Sequence, residues 1–154
     1  QNDIEFVFCS DIIKDNQFSL QRVKPYFSAA IGAGYGENML ENSNGWMLRY
    51  VRKASERMID LTSRFKDDTG LKARSLNLAA KEVLLAQSGD WQLMISEKST
   101  PDYAEQRFKE SILAFSTVYD SLGSNSISTE WLTRMEKKHT LFPEMNYMVF
   151  SSKQ

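Results

Sequence analysis

Apolar residues recur every three or four positions through the middle of the chain, a period that is typical of amphipathic helices. The first such run extends from Trp46 to Lys66. Its apolar positions are Met47, Val51, Ala54, Met58, Leu61 and Phe65. Asn44 precedes the run at the position of a helix N-cap, and Gly70 follows it in a connecting turn. The pattern predicts one long helix over this range.

Two further runs have the same helical period. Leu71 to Ser88 is predicted as a second helix, and the small residues on one of its sides favour close contact with a neighbouring helix. A third helix is predicted to begin at Thr100-Pro101-Asp102, a strong start signal, and to end at Gly123. A shorter helix capped by Ser128 follows, and Tyr147 to Phe150 is predicted as a terminal strand or extended strap.

The start of the chain has a different pattern. Ile4 to Cys9 is aromatic and β-branched and predicts a short strand, while Ile12 to Asp15 predicts a brief helix capped by Ser10-Asp11. One strand and one helix cannot bury their own apolar surface, so the pair is interpreted as the end of a larger sheet or barrel. Ala29 to Gly36 is a glycine-rich loop, and loops of this kind often carry function.

These elements together predict a mainly α fold. We expect an antiparallel bundle of three long helices and one short helix, with a short N-terminal βα remnant of a larger (β/α) barrel. Residues 1–43 are expected to form the barrel tail, short helix and glycine-rich loop, and residues 44–154 the helical bundle domain. Because the chain begins with Gln1 rather than Met, we interpret it as part of something longer.

Charge and composition narrow the range of partners. The 154 residues include 19 Lys or Arg and 20 Asp or Glu, so the formal net charge is -1 and no nucleic-acid partner is expected. No apolar run approaches the roughly 18–20 residues of a membrane span, so no membrane partner is expected. Cys9 is the single cysteine and cannot form an internal disulfide. We expect a cytoplasmic protein.

Few residues indicate catalysis by themselves. Phosphate-loop, dinucleotide and zinc motifs are absent, and we expect neither a metal nor a cofactor. His139, the only histidine, follows Lys137 and Lys138 at a predicted helix end, which favours a structural contact over a catalytic triad. Glu37 and Asp90 are candidates for an acid–base pair, but solvated or capping roles and ligand binding remain open alternatives for both.

Asp90 and Trp91 stand together where Gly89 interrupts the second helical run. An acid beside an indole is a common way to hold a sugar, because the carboxylate accepts hydrogen bonds from hydroxyls and the ring covers an apolar sugar face. The alternative is that Trp91 belongs to the core and that Asp90 caps the next helical turn.

The segment from Leu76 to Trp91 reads LNLAAKEVLLAQSGDW. It is similar to the motif LNxAAxExLLAQSSDW of glycoside hydrolase family 57, in the group of α-1,4-glucan branching enzymes. Weaker similarities to the same group lie at Asn44-Gly45-Trp46, Ala54 to Met58, Tyr103-Ala104 with Arg107, Phe115 and Tyr119, Trp131-Leu132 with Glu136, and Leu141-Phe142-Pro143 with Asn146-Tyr147. The stretches Phe6 to Asn16 and Val23 to Gly32 resemble the family's last barrel strand, a short helix and a loop.

This resemblance implies that the chain is the C-terminal helical domain of a family 57 protein with a distorted (β/α) barrel upstream. The barrel would act by a retaining mechanism, and its Glu nucleophile and Asp acid/base would both precede Gln1. The helical domain would contribute a lid and substrate contacts. The implied partners are therefore the barrel of the same protein and an α-glucan.

The substrate-binding residues that the resemblance implies are Asp90, Trp91, Ile31 and Gly32. Asp90 matches the acid with which the family holds the glucan. Ile31 and Met39 fall near two loop tryptophans of the family, and neither is aromatic here. We expect a parent that is a branching enzyme, a related hydrolase, a transferase with altered acceptor handling or an inactive paralogue. The alternative is a non-catalytic helical module for protein interactions.

Overall fold

The computed structural model describes residues 6–16, 19–26, 28 and 33–151, and its regular structure is helical. The α-helices of these ranges are α1 (Cys9–Asp15), α2 (Trp46–Arg64), α3 (Gly70–Ala86), α4 (Gly89–Ser96), α5 (Pro101–Ser124) and α6 (Thr129–Lys138). Two 3-10 turns, Glu37–Met39 and Tyr147–Phe150, are also present. The fold is therefore mainly α, as the apolar period predicted.

The start and stop signals in the sequence account for the bounds of the long helices α2, α3 and α5. α5 has Pro101 at its first position, where the missing N–H costs no hydrogen bond. Its C-cap is Asn125, whose left-handed backbone (φ 52°) ends the helix at Ser124, one residue after the predicted end. α2 ends at Arg64, close to the prediction of Lys66.

α3 lies at the centre of the fold. It contacts α2, α5, α6 and the turn Tyr147–Phe150, and its contacts with α5 are the most extensive. Alanines at 79 and 80 are fully buried, and such small side chains allow the neighbouring helices to approach closely. The main core cluster includes Leu76, Ala79, Ala80 and Val83 of α3, Met58 and Leu61 of α2, Phe115 and Val118 of α5, and Leu132 of α6.

A second core cluster holds α4 in place. Its buried members are Met47, Ala86, Ile95, Ala104 and Phe108. Trp46 and Trp91 are partly buried and pack against this cluster. Because α4 is a separate helix of eight residues, residues 44–151 contain a second short helix in addition to the single one predicted for the bundle.

The predicted N-terminal strand is not found in the residues that the structure describes. Phe6 to Phe8 have no regular structure, and Cys9 already begins α1, while Ile4 and Glu5 lie outside the described ranges. A strand is stable only when a neighbouring strand pairs with its backbone, and the described segments supply no such neighbour. The predicted cap Ser10-Asp11 lies inside α1, whose N-cap is Phe8.

The predicted terminal strand at Tyr147 to Phe150 is wrong, since these residues form a 3-10 turn. Asn146 caps the turn, because its side-chain oxygen accepts a hydrogen bond from the Met148 amide at 2.9 Å. The Tyr147 amide donates to Oδ1 of Asn77 at 2.9 Å, which ties the turn to α3. Side-chain oxygens thus satisfy backbone groups that a strand would have paired with another strand.

Large apolar side chains remain exposed among the described residues before position 41. The most exposed of them are Phe6 (97%), Tyr26 (87%), Phe8 (78%) and Val23 (76%). The helices, by contrast, bury the two core clusters. In the described part of the chain, no helix has both the length and the apolar character needed to cross a membrane.

We expect the substitution Leu132→Ala to lower the free energy of unfolding by about 2–5 kcal/mol, because it leaves a cavity in the core. Leu132 is fully buried and joins α6 to the main core cluster. Urea denaturation followed by circular dichroism measures the change. Leu113→Ala is the matched control, since Leu113 is 68% exposed and its loss should change stability by about 0.5 kcal/mol or less. Equal losses in the two variants would contradict this account of the core.

Candidate functional site

Asp90 is an exposed carboxylate in the first turn of α4. The backbone turns at Ser88, the N-cap residue, so that Asp90 is the second residue of the helix. The Ser88 hydroxyl donates a hydrogen bond to Oδ2 of Asp90 at 2.8 Å. The partial positive charge of the helix N-terminus also favours a carboxylate at this position. Asp90 is therefore held locally and is still open to a ligand.

Trp91 anchors α4 to the end of α3. Its indole Nε1 donates a hydrogen bond to the backbone oxygen of Leu85 at 2.7 Å. Its ring meets the ring of Tyr103 edge-on, with 6.3 Å between the centroids, and packs on the second core cluster. Because the polar end of the indole is engaged and the ring is half-buried, Trp91 offers less surface to a sugar than the sequence suggested.

The segment before α2 is joined to α4 by what we call the Asn44 network, made of Asn38, Met39, Asn44 and Gln92. Asn44 is fully buried, and its Nδ2 donates to the backbone oxygens of Gln92, at 3.0 Å, and of Asn38. Gln92 Nε2 donates in return to the backbone oxygen of Met39 at 3.3 Å. Asn44 was predicted to cap α2, but the N-cap is Gly45, and the Asn44 amide binds the preceding segment instead.

The same segment reaches the residues next to Asp90. The Met39 side chain lies against Gly89, and a Cβ on Gly89 would be 3.5 Å from Met39 Cε. Ser96, at the end of α4, donates a hydrogen bond to Oε1 of Glu41 at 2.8 Å. Contacts at both ends of α4 thus fix this segment beside the candidate acid.

Glu37 stabilises the glycine-rich turn. The amides of Ala33 and Tyr35 donate to its two carboxylate oxygens, the latter at 3.1 Å. Gly34 and Gly36 have φ values of 92° and 73°, in a region that other residues rarely adopt. Hydrogen bonds from its own amide, and then from that of Ala33, lower the pKa of Glu37. The Glu37 carboxylate is therefore occupied by the turn, and nothing in its contacts favours an acid–base role with Asp90.

The structure brings Asp90, Trp91 and Met39 together, while Ile31 and Gly32 lie outside the described residues. It adds Tyr103, which is 54% exposed beside Trp91. The position of Tyr103 in the first turn of a helix was predictable from the Thr100-Pro101 start, but its contact with Trp91 was not. In the described ranges, no group of three or more His, Cys, Asp or Glu residues is placed to hold a metal ion.

A buried pair of titratable residues, Glu82 and His139, lies away from these residues. The two are 0% and 4% exposed, and His139 Nδ1 is hydrogen-bonded to Glu82 Oε1. His139 is the C-cap of α6, and its backbone oxygen accepts a hydrogen bond from Lys81 Nζ at 3.0 Å. Burial raises the pKa of Glu82, and the hydrogen bond with His139 opposes this only in part. The pair connects α3 to the end of α6.

The chain matches the family model described as the C-terminal region of 1,4-alpha-glucan branching enzyme over residues 50–150, which is more than half of its length. A 1,4-alpha-glucan branching enzyme of Thermococcus kodakarensis is 31% identical over 62 residues, and this match covers 40% of the chain and 9% of that protein.

Three solved structures share this fold. The alpha-amylase AmyC from Thermotoga maritima is 29% identical, with a TM-score of 0.69 and a match over 100% of this chain. The GH57-type branching enzyme from Pyrococcus horikoshii is 19% identical, with a TM-score of 0.80 over 95% of the chain. A GH57 branching enzyme from Thermococcus kodakaraensis, in complex with glucose, is 17% identical, with a TM-score of 0.81 over 98%. The chain spans 28% of the length of each of these structures.

We expect Asn44→Ala to release the segment from residue 37 to residue 45, because the substitution leaves the carbonyls of Gln92 and Asn38 without their donor. Losing such buried hydrogen bonds costs about 1–3 kcal/mol. Hydrogen–deuterium exchange with mass spectrometry should show faster exchange in this segment and little change in α5. Asn42→Ala, the same substitution at an exposed position of this segment, is the control and should leave the exchange unchanged. Equal exchange in both variants would argue against the Asn44 network.

We expect Glu82→Gln and Glu110→Gln to change the pH dependence of stability in opposite directions. Glu82 has a raised pKa, so its contribution to stability is full below the ordinary glutamate pKa of about 4.3 and is lost as the pH rises through the raised value. Glu110 has a pKa lowered mainly by its hydrogen bond with Lys138, so its contribution is lost as the pH falls below about 4.3.

Urea denaturation between about pH 3 and pH 8 measures both effects. The quantity to compare is the free energy of unfolding of the unsubstituted chain minus that of each variant. For Glu82→Gln this difference should fall as the pH rises above about 4. For Glu110→Gln it should fall as the pH decreases below about 5. Two differences with the same slope would show that burial does not raise the Glu82 pKa.

Proposed function

Because the chain belongs to the family of the C-terminal domain of 1,4-alpha-glucan branching enzyme, in glycoside hydrolase family 57, we propose that it contributes substrate contacts and a lid to an upstream catalytic barrel that acts on α-glucans. The observation that carries this proposal is the placement of Asp90. It is an exposed acid, held by Ser88, beside the segment that leads from the glycine-rich turn into the helices.

A carboxylate at this place suits a glucan. It can accept hydrogen bonds from two neighbouring sugar hydroxyls, and a hydrogen bond to a charged group contributes about 1.5–3 kcal/mol. Met39 and Tyr103 supply apolar surface on the neighbouring elements. The proposed contact is therefore one that orients a sugar rather than one that breaks a bond.

The other predicted substrate-binding residues have different proposed roles. We propose that Trp91 supports Asp90 by fixing the first turn of α4 to α3, with the accessible part of its ring available to the sugar. Ile31 and Gly32 are proposed as contacts from the glycine-rich loop. Their place in the sequence, shortly before the turn held by Glu37, supports this assignment.

We propose that residues 1–43 pack on the barrel and that residues 44–154 form an antiparallel helical bundle beside it. The exposed apolar side chains of Phe6, Phe8, Val23 and Tyr26 support this division, because protein surfaces rarely leave so many large apolar groups uncovered. In this proposal the βα remnant gains its strand partners from the barrel. We also propose a cytoplasmic location, which is the expectation from the sequence.

The proposed parent is a retaining enzyme. A Glu nucleophile in the barrel would form a glycosyl-enzyme, and an Asp would serve as acid and then as base. A lid that excludes water would favour attack by a sugar hydroxyl, which creates a branch, over hydrolysis. An inactive paralogue is the second candidate, and the observation that favours it is Met39, which offers no aromatic face where the family has a tryptophan.

We expect Asp90→Asn, in the protein that joins this chain to its barrel, to lower kcat/KM on amylose about ten- to a hundredfold. This range corresponds to the loss of a charged hydrogen bond, at about 1.4 kcal/mol for each tenfold change. The amide keeps the shape of the side chain, so the local fold should persist. Initial rates of branch formation and of reducing-end release measure the effect.

The matched control is Asp102→Asn. Asp102 is also an exposed acid at the second position of a helix, α5, and should leave kcat/KM within about twofold. Equal effects in the two variants would remove Asp90 from the site. A parent that binds amylose but does not turn it over would support the inactive paralogue.

A further inference from the structure

A groove lies between α3 and the chain segment that follows α6. Its volume is about 430 Å³, within the range of small-molecule sites. The lining residues with recognisable chemistry are Arg74, Asn77, Lys81, Glu136, Thr140 and Phe142. None of the lining residues belongs to α4 or to the segment joined by the Asn44 network, so the groove is distinct from the site around Asp90.

Phe142 gives the groove an aromatic wall. Its backbone has a φ of 53°, in the left-handed region that bulky residues rarely adopt, and its side chain is 47% exposed. The turn Tyr147–Phe150 is tied to Asn77 of α3, so the segment carrying Phe142 is fixed at both ends, by His139 and by Tyr147. A strained backbone that leaves an aromatic ring half-exposed at a groove is a reason to look for a ligand.

A planar ion pair forms the polar side of the groove. Arg74 Nε and Nη2 donate to the two oxygens of Glu136 at 3.1 and 2.6 Å, and Nη2 also donates to the Thr133 hydroxyl at 3.2 Å. A guanidinium has five N–H groups, and these bonds leave Nη1 without a partner among the described residues. The pair therefore presents both donors and acceptors in one plane.

Lys81 adds a buried donor. Its side chain lines the groove although the residue is only 9% exposed, and Nζ donates to the backbone oxygen of His139 at 3.0 Å. An ammonium has three N–H donors, so further donors remain for a ligand.

This combination fits a neutral polyhydroxylated ligand better than an anion. Arg74 is paired with Glu136, and the Glu136 carboxylate itself lines the groove, where it would repel a phosphate. Sugar hydroxyls can accept from Arg74 and Lys81 and donate to Glu136, while Phe142 covers an apolar sugar face. We propose that this groove is a second binding site for an α-glucan segment; the choice of glucan rests on the proposed function.

The test is a titration of this chain with maltotriose, followed residue by residue in NMR spectra of the ¹⁵N-labelled chain. We expect millimolar affinity and the largest shifts at Thr140 and Phe142, with α4 little affected. Phe142→Ala should weaken binding about three- to tenfold, the range expected for one aromatic contact. Leu141→Ala is the matched control, because Leu141 is an exposed neighbour outside the groove, and it should keep the affinity within twofold.

Thr140→Val is a second variant, which removes a hydroxyl from an exposed position and should also weaken binding. The absence of shifts at the groove in tens of millimolar maltotriose would overturn the proposal. Shifts with inorganic phosphate, but none with maltotriose, would overturn it in favour of an anion site. Equal affinities of Phe142→Ala and Leu141→Ala would overturn it as well. The effect of Asp90→Asn on turnover is measured separately, so the proposal for one site can be contradicted while the proposal for the other stands.

Discussion

The hydrogen bonds of the buried Asn44 amide are the constraint on which the arrangement of the candidate site depends. They connect a segment with little regular structure to α4, the helix that carries Asp90. Asn44 Oδ1 is buried and has no partner among the described residues, so the connection relies on the NH₂ group alone. Two further hydrogen bonds, from Gln92 to Met39 and from Ser96 to Glu41, also hold the segment against α4. A carboxylate can act across a domain boundary only if its own helix and the adjoining segment keep one geometry.

The helices were predictable from the sequence because their signals are local. The apolar period of α2 and the Thr100-Pro101-Asp102 start of α5 depend on residues within one or two turns. The strand predictions were wrong because strand pairing depends on a partner elsewhere in the chain. In residues 147–150, the amides of Tyr147 and Met148 donate hydrogen bonds to side-chain oxygens of Asn77 and Asn146 instead. Likewise, the placement of Met39 beside Gly89 and of Tyr103 beside Trp91 joins distant parts of the chain, and no local pattern carries that information.

The motif that pointed to the family consists mostly of packing residues. Within it, Ala79 and Ala80 allow close helix contact, Glu82 binds His139, and Gln87 donates a hydrogen bond to the Ser55 hydroxyl at 2.9 Å. These residues explain why the motif predicts the fold. They say little about substrate, because each is turned toward another part of the same chain. Asp90, at the end of the motif, is an exposed carboxylate that is hydrogen-bonded to its neighbour Ser88, and it is the residue proposed to meet a ligand.

A domain of this kind would assist a reaction without taking part in bond cleavage. A single charged hydrogen bond is worth about 1.5–3 kcal/mol, far less than the 8–23 kcal/mol by which enzymes commonly lower a barrier. Such a contact is nevertheless enough to choose between acceptors, because tenfold selection between water and a sugar hydroxyl requires only about 1.4 kcal/mol. The attachment of Asp90 through Ser88, Trp91 and the Asn44 network is therefore suited to the proposed role of orienting an acceptor, with the bond-breaking groups on the proposed barrel.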